Sequence, residues 1–256
     1  MTAPALVREA VLLAGRQLTG WRRQPVVPIQ SMLFPTLLLL TYDLVVARSM
    51  ARLTGTDALE VVVPTCAVAG AVFGAMSGGF TLPLERDMGL ISRLWTFPVH
   101  RASALTGIVL AEAVRTLIAT AVITAVGVAL GLRFPGPAAV VAFLLVPVLV
   151  IAVFAPIMVA VALRGDGGGA MFLWLGTATT GLVFANAGLA PVQRLPHWLR
   201  PVIEYQPMSA VVATMRALSL GEPVLGPLLL SVGWAVLIGA IGVPVAVRAY
   251  RVVAES

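Results

Sequence analysis

The chain has 256 residues, 59% hydrophobic and only 11% charged, with a mean hydropathy of +1.00. Soluble domains carry roughly 25% charged residues, so this is the composition of a membrane protein. The net charge of +6 comes from arginines spread over loops without a basic stripe, which argues against a nucleic-acid partner and makes the excess topology information.

All 17 basic residues are arginine, and with so much Ala, Val, Leu and Gly this suggests a GC-rich genome. Cys66 is the only cysteine, which excludes an internal disulfide and any cysteine cluster for a metal. Arg8 and Glu9 interrupt the apolar run near the N-terminus, so a cleavable signal is not expected.

Val7, Val11, Ala14, Leu18 and Trp21 recur at steps of four and three, with Arg8, Glu9, Arg16, Arg22 and Arg23 mostly off that stripe. The spacing predicts an interfacial helix over 1–24, apolar face on the membrane. Pro25 and Pro28 then turn the chain into the first span.

A bilayer crossing takes about 20 mostly apolar residues. Six stretches qualify: 26–47, 61–82, 104–131, 138–163, 169–190 and 226–247. The fold class is therefore all-α, with six transmembrane helices in a single domain spanning 1–256. If the N-terminus is inside, ten arginines fall on cytoplasmic segments and six on outer ones, with Arg115 inside the third span. Both termini are accordingly expected in the cytoplasm.

The polar interruption 83–103 would then be cytoplasmic. Leu84, Met88, Ile91 and Trp95 share one helical face, with Glu85, Arg86, Ser92 and Arg93 on the rest. Pro83 suits a first turn and Pro98 a stop, which predicts a short amphipathic helix. Such a helix can rest on lipid headgroups or insert into a groove on a partner. The outer segment 191–225 carries Pro191, Pro196, Pro201 and Pro207 with Trp198 and Tyr205 between, which predicts short helices at the face or dipping in. It is either functional or a structural lid.

Catalytic chemistry is sparse. His100 and His197 fall on opposite sides of roughly 30 Å of hydrocarbon, no HExxH motif occurs, and Ser77 in "MSGG" has no histidine at its depth. No catalytic or metal residues are assigned. A phosphate-binding loop ends in Lys-Ser/Thr, and the chain has no lysine, so any ATP must be bound by another polypeptide. Few ionisable residues enter the spans. Asp43 is near the end of the first, and Glu112 and Arg115 share a face of the third, as a structural pair or on a substrate path. Gly70, Gly74 and Gly78 form a repeated GxxxG face on the second span, for a contact within the chain or between subunits.

"ERDMGLISRLWTFPVHR", with Glu85-Arg86, Gly89, Leu94, Pro98 and Arg101, resembles the cytoplasmic loop of ABC-2-type exporter permeases, closest to the daunorubicin/doxorubicin-resistance-type branch of actinobacteria. "LPHWLRPVIEYQPMSAVVATMRAL" resembles that family's outer loop, with Pro196, Trp198, Pro207 and Arg216 in order. The resemblance covers the whole chain. It implies a coupling helix around Glu85 to Arg101 that docks a separate ABC ATPase carrying Mg-ATP, through Glu85, Arg86, Asp87, Gly89, Arg93, Leu94, Trp95, Pro98 and Arg101. It further implies pairing with a second permease, identical or paralogous, in the inner membrane, and a hydrophobic drug or complex lipid as cargo. The acidic pair is Glu85 and Asp87 where many members carry two glutamates, which bears on which ATPase is accepted. The alternatives are a polysaccharide or peptide permease, which the 7% aromatic content disfavours, and a membrane-embedded enzyme or scaffold.

Overall fold

The computed structural model describes residues 3–23, 25–54, 58–87, 103–163, 168–186 and 195–255. Among them every regular element is a helix: α1 (Ala3–Arg23), α2 (Val26–Thr54), α3 (Leu59–Asp87), α4 (Ser103–Leu130), α5 (Pro137–Ala162), α6 (Gly168–Phe184), α7 (Arg200–Tyr205), α8 (Pro207–Leu220) and α9 (Leu225–Glu255).

Five of these, α2, α3, α4, α5 and α9, are long and apolar enough to cross a bilayer. The fifth expected span is represented by α6, whose 17 residues rise about 26 Å, slightly less than the hydrocarbon thickness. The chain is thus a multi-pass helical membrane protein.

α3 is the hub. It packs against α2, α4, α5, α6 and α8, and 78% of its residues from Leu59 to Met76 are buried. Its sequence explains the position: Ala67, Ala69, Ala71, Ala75, Gly70 and Gly74 keep its circumference small, so neighbours approach closely. At Gly176 of α6 a Cβ would stand 2.2 Å from Met76 Cε, so that glycine is what admits the α3 side chain. By contrast only 12% of the Pro28–Val45 window of α2 and 11% of Leu225–Ala249 of α9 are buried. Those two apolar helices form the flanks of the bundle.

On α1, Ala14 of the expected stripe and its neighbour Ala10 are buried, while Val7 and Val11 are exposed. The reason is Gly107 of α4, where a Cβ would stand 2.8 Å from Leu13 Cβ and 3.2 Å from the Ala10 carbonyl. The missing side chain seats the small residues of α1 on α4 and turns the valines outward. Arg22 and Arg23 close α1 where its dipole favours cations.

The proline-rich segment does form short helices, with Pro201 and Pro207 in the first turns of α7 and α8, where no intrahelical N–H is needed. α8 is set into the bundle against α3, α5 and α9, burying Met208, Val211, Val212 and Met215. It stops at Gly221, whose left-handed φ of 72° lets the Glu222 N–H reach the Ala217 carbonyl.

Candidate functional site

Two helices flank the polar interruption. α3 carries the chain into it and α4 carries the chain out. α3 continues through Pro83 to Asp87, so Glu85, Arg86 and Asp87 stand on its last turns and do not open a new helix at Pro83. Leu84, Glu85 and Arg86 are good helix formers, and they extend the helix beyond the apolar run. For Gly78, Glu85, Arg86 and Asp87 the structure describes the helical backbone alone. Gly89, Arg93, Leu94, Trp95, Pro98 and Arg101, with the remainder of the expected amphipathic helix, lie outside the described residues.

Behind this segment α4 carries a buried charge pair. Arg115 donates from Nε (2.8 Å) and Nη2 (2.6 Å) to the same oxygen, Oε2, of Glu112. Both side chains are buried, at 1% and 2% exposure. An ion pair this far from water is held by mutual attraction against a desolvation cost of several kcal/mol per ion, so losing either partner is expensive.

The pair reaches across to α3. A Cβ on Gly74 would stand 1.6 Å from Cζ, Nη1 and Nη2 of Arg115, so the guanidinium occupies the space a side chain at 74 would need. One turn away, a Cβ on Gly70 would lie 3.3 Å from Ile123 Cδ1 and 3.5 Å from Pro35 Cγ. Gly70 and Gly74 therefore face α4 and α2 of their own chain. Their contact is intramolecular.

At the other end of the bundle is a set of polar contacts that sequence reading did not single out. Asn186 Nδ2 donates to Thr65 Oγ1 (3.0 Å) and to the Val183 carbonyl (2.7 Å), tying the end of α6 to α3. Gln206 Nε2 donates to the Leu182 (3.2 Å) and Ala185 (2.7 Å) carbonyls, which satisfies C-terminal carbonyls of α6 from the α7–α8 junction. Trp234 Nε1 of α9 donates to the Tyr205 carbonyl (2.8 Å), and Thr214 and Ser231 share a hydrogen bond of 3.0 Å. The available signal was an isolated amide in apolar surroundings, since such groups serve as interhelical glue.

Pro207 opens α8, Trp198 is exposed, Pro196 accepts from the Leu199 N–H at 2.9 Å, and Arg216 is half-buried on α8. Asp43 is half-buried on α2, away from the Glu112–Arg115 pair in sequence and on a different helix. Among the described residues no cluster of His, Cys, Asp and Glu could hold a metal ion.

A family model described as ABC-2 type transporter matches residues 8–220. The chain belongs to that family. It is 32% identical over 244 residues to the probable doxorubicin resistance ABC transporter permease protein DrrC of Mycobacterium tuberculosis, in strains CDC 1551 and H37Rv, covering 91% of this chain and 84% of the relative. It is also 23% identical over 222 residues to the putative transport permease ycf38 of Cyanophora paradoxa, covering 85% and 76%. No solved structure matches it. This ABC-2 permease is thus homologous to a drug-resistance exporter permease, a transport subunit of a family whose members work with an ABC ATPase.

Proposed function

We propose that this permease is the membrane half of an ATP-driven exporter that moves a hydrophobic drug or complex lipid out of the cytoplasm or inner leaflet. Mg-ATP is bound and hydrolysed on a separate ABC ATPase, and a second permease, identical or paralogous, completes the pathway. The chain crosses the inner membrane six times with both termini in the cytoplasm.

The observation that carries this reading is the extended similarity to a permease named for doxorubicin resistance, across most of both chains. The bundle supports a mechanism. The ATPase engages residues 83–103, through Glu85, Arg86, Asp87, Gly89, Arg93, Leu94, Trp95, Pro98 and Arg101. A push on that segment reaches α3 and α4 together, because the Glu112–Arg115 pair seated on Gly74 locks the two helices. α3 touches α2, α5, α6 and α8, so its displacement is passed to most of the bundle. Alternating access then follows from the ATPase pair closing and opening.

The test is reconstitution of the purified permease in lipid vesicles with its ATPase, followed by uptake of a fluorescent lipophilic drug. Uptake that requires both ATP and the ATPase supports the reading. A stable, inserted permease that never recruits an ATPase, even after crosslinking in its host, refutes it.

A further inference from the structure

One row of α4 is polar throughout: Glu112, Thr116, Thr120 and Thr124, at steps of four. All four are buried, at 2%, 0%, 0% and 4% exposure. A buried threonine in a helix ordinarily donates its hydroxyl to the carbonyl four residues back. In this chain Thr36, Thr41, Thr65, Thr179 and Thr214 all do so, at 2.7–2.8 Å. Thr116, Thr120 and Thr124 do not: each Oγ1 is without a protein partner, and so is Glu112 Oε1, since both bonds from Arg115 fall on Oε2.

Burying a hydroxyl without a partner is costly, and a carboxylate oxygen more so. Four such atoms in succession on one helical row call for one common explanation. Direct bonds between successive threonines are ruled out by pitch, because four residues rise about 6 Å, and Glu112 Oε1 makes none to Thr116. That distance is close to two hydrogen bonds in series, each about 2.8 Å. A single water bridging each successive pair fits the spacing. It can also bond to the second lone pair of a nearby backbone carbonyl, reaching the usual complement of about three partners.

We propose that this row is a binding site for a file of roughly three internal waters, running about 18 Å along α4 from Glu112 Oε1 to Thr124 Oγ1. The file begins on the oxygen that Arg115 leaves free, and so completes the solvation of a carboxylate held inside an apolar bundle. It also gives α4 a polar seam whose bonds can be remade if the helix moves. The inference goes beyond the transport reading and depends on neither cargo nor ATPase.

The experiment is an electron cryomicroscopy map of the full-length permease in its native complex, at a resolution that shows ordered water. The expected result is density within hydrogen-bonding distance of Glu112 Oε1 and of the three threonine hydroxyls, spaced between them. Hydroxyls turned back onto the carbonyls of Glu112, Thr116 and Thr120, with a dry seam, would overturn the proposal. Thr120→Val and Thr120→Ser give an independent reading by thermal unfolding. T120V should lose the two waters it anchors and unfold several degrees lower, while T120S keeps the hydroxyl and stays near wild type. A T120V protein as stable as wild type, or more so, would show an unhydrated hydroxyl and sink the idea.

Discussion

The Arg115 guanidinium occupies the space above Gly74, 1.6 Å from where a Cβ at that position would be. Gly74→Ala must therefore push the guanidinium aside and disturb its bonds to Glu112. Overpacking of this kind costs about 1–3 kcal/mol, and the disturbed buried charge adds to it. Gly70→Ala meets only the movable end of Ile123 at 3.3 Å and the Pro35 ring at 3.5 Å, so it should cost ~1 kcal/mol or less. Thermal unfolding of the two variants in detergent checks the contrast. Equal losses would mean that the arginine is not seated as described.

The ion pair itself separates structure from transport. Glu112→Gln or Arg115→Met leaves one buried group uncompensated and should destabilise the permease by about 3–5 kcal/mol. Replacing both, E112L with R115M, removes the charges together and should restore the unfolding midpoint to near wild type or above it. The double variant should nonetheless transport poorly, because a methionine no longer reaches over Gly74 to hold α3 to α4. Drug efflux from cells expressing matched amounts of each variant is the readout. Full efflux by the double variant would reduce the pair to a stability element.

Most of this architecture was legible in the sequence, for physical reasons that differ between elements. Span-length apolar runs locate α2, α3, α4, α5 and α9 because a bilayer imposes a length. The prolines of the 191–225 segment mark the starts of α7 and α8 because proline is favoured in a first turn, although Pro35, Pro147, Pro156 and Pro244 sit inside the longer helices. The Glu112–Arg115 pair was visible as an i, i+3 spacing, but its seat on Gly74 lies across helices, where local spacing is silent. The seating of Ala10 and Ala14 on α4 was hidden for the same reason, since Gly107 decides it. Gln206 was read only as part of the outer-loop resemblance, and the Thr116–Thr120–Thr124 row passed unnoticed because threonine changes hydropathy little. Only the bonds they make, or fail to make, distinguish them.

The Gln206 side chain links two elements distant in sequence. Its amide donates to the carbonyls of Leu182 and Ala185 and is buried. Gln206→Leu keeps the bulk and removes the donor, leaving those α6 carbonyls unsatisfied at a cost of about 1–3 kcal/mol. The α7–α8 region should then detach locally before the bundle unfolds. Faster amide hydrogen exchange confined to α7, the start of α8 and the end of α6 is the expected signature. Uniform acceleration over all helices would show that Gln206 is not a local tie.

The docking role is tested without disturbing the bundle. Arg93→Ala and Glu85→Ala remove charges from the segment proposed to engage the ATPase. Truncating an interface hot spot costs at least about 2 kcal/mol, or roughly a thirtyfold loss of affinity. Both variants should insert and unfold like wild type while recovering much less ATPase on purification. Undiminished recovery from both would move the docking surface elsewhere.

Orientation can be read with thiol chemistry, and the native cysteine does not interfere. Cys66 is buried on α3 at 1% exposure, so it should be silent to a membrane-impermeant maleimide. Trp198 is 72% exposed, ahead of α7, and Arg22 is exposed at the end of α1. If both termini are cytoplasmic and α7–α8 lie outside, W198C should label in intact cells. R22C should label only after the membrane is opened. Each span reverses the side of the chain, so an even number of crossings between position 22 and position 198 would put both cysteines on one side. With the 17-residue α6 as a full crossing, the crossings by α2, α3, α4, α5 and α6 number five and the sides differ. If α6 only enters and returns, W198C and R22C label together, and the six-span topology fails.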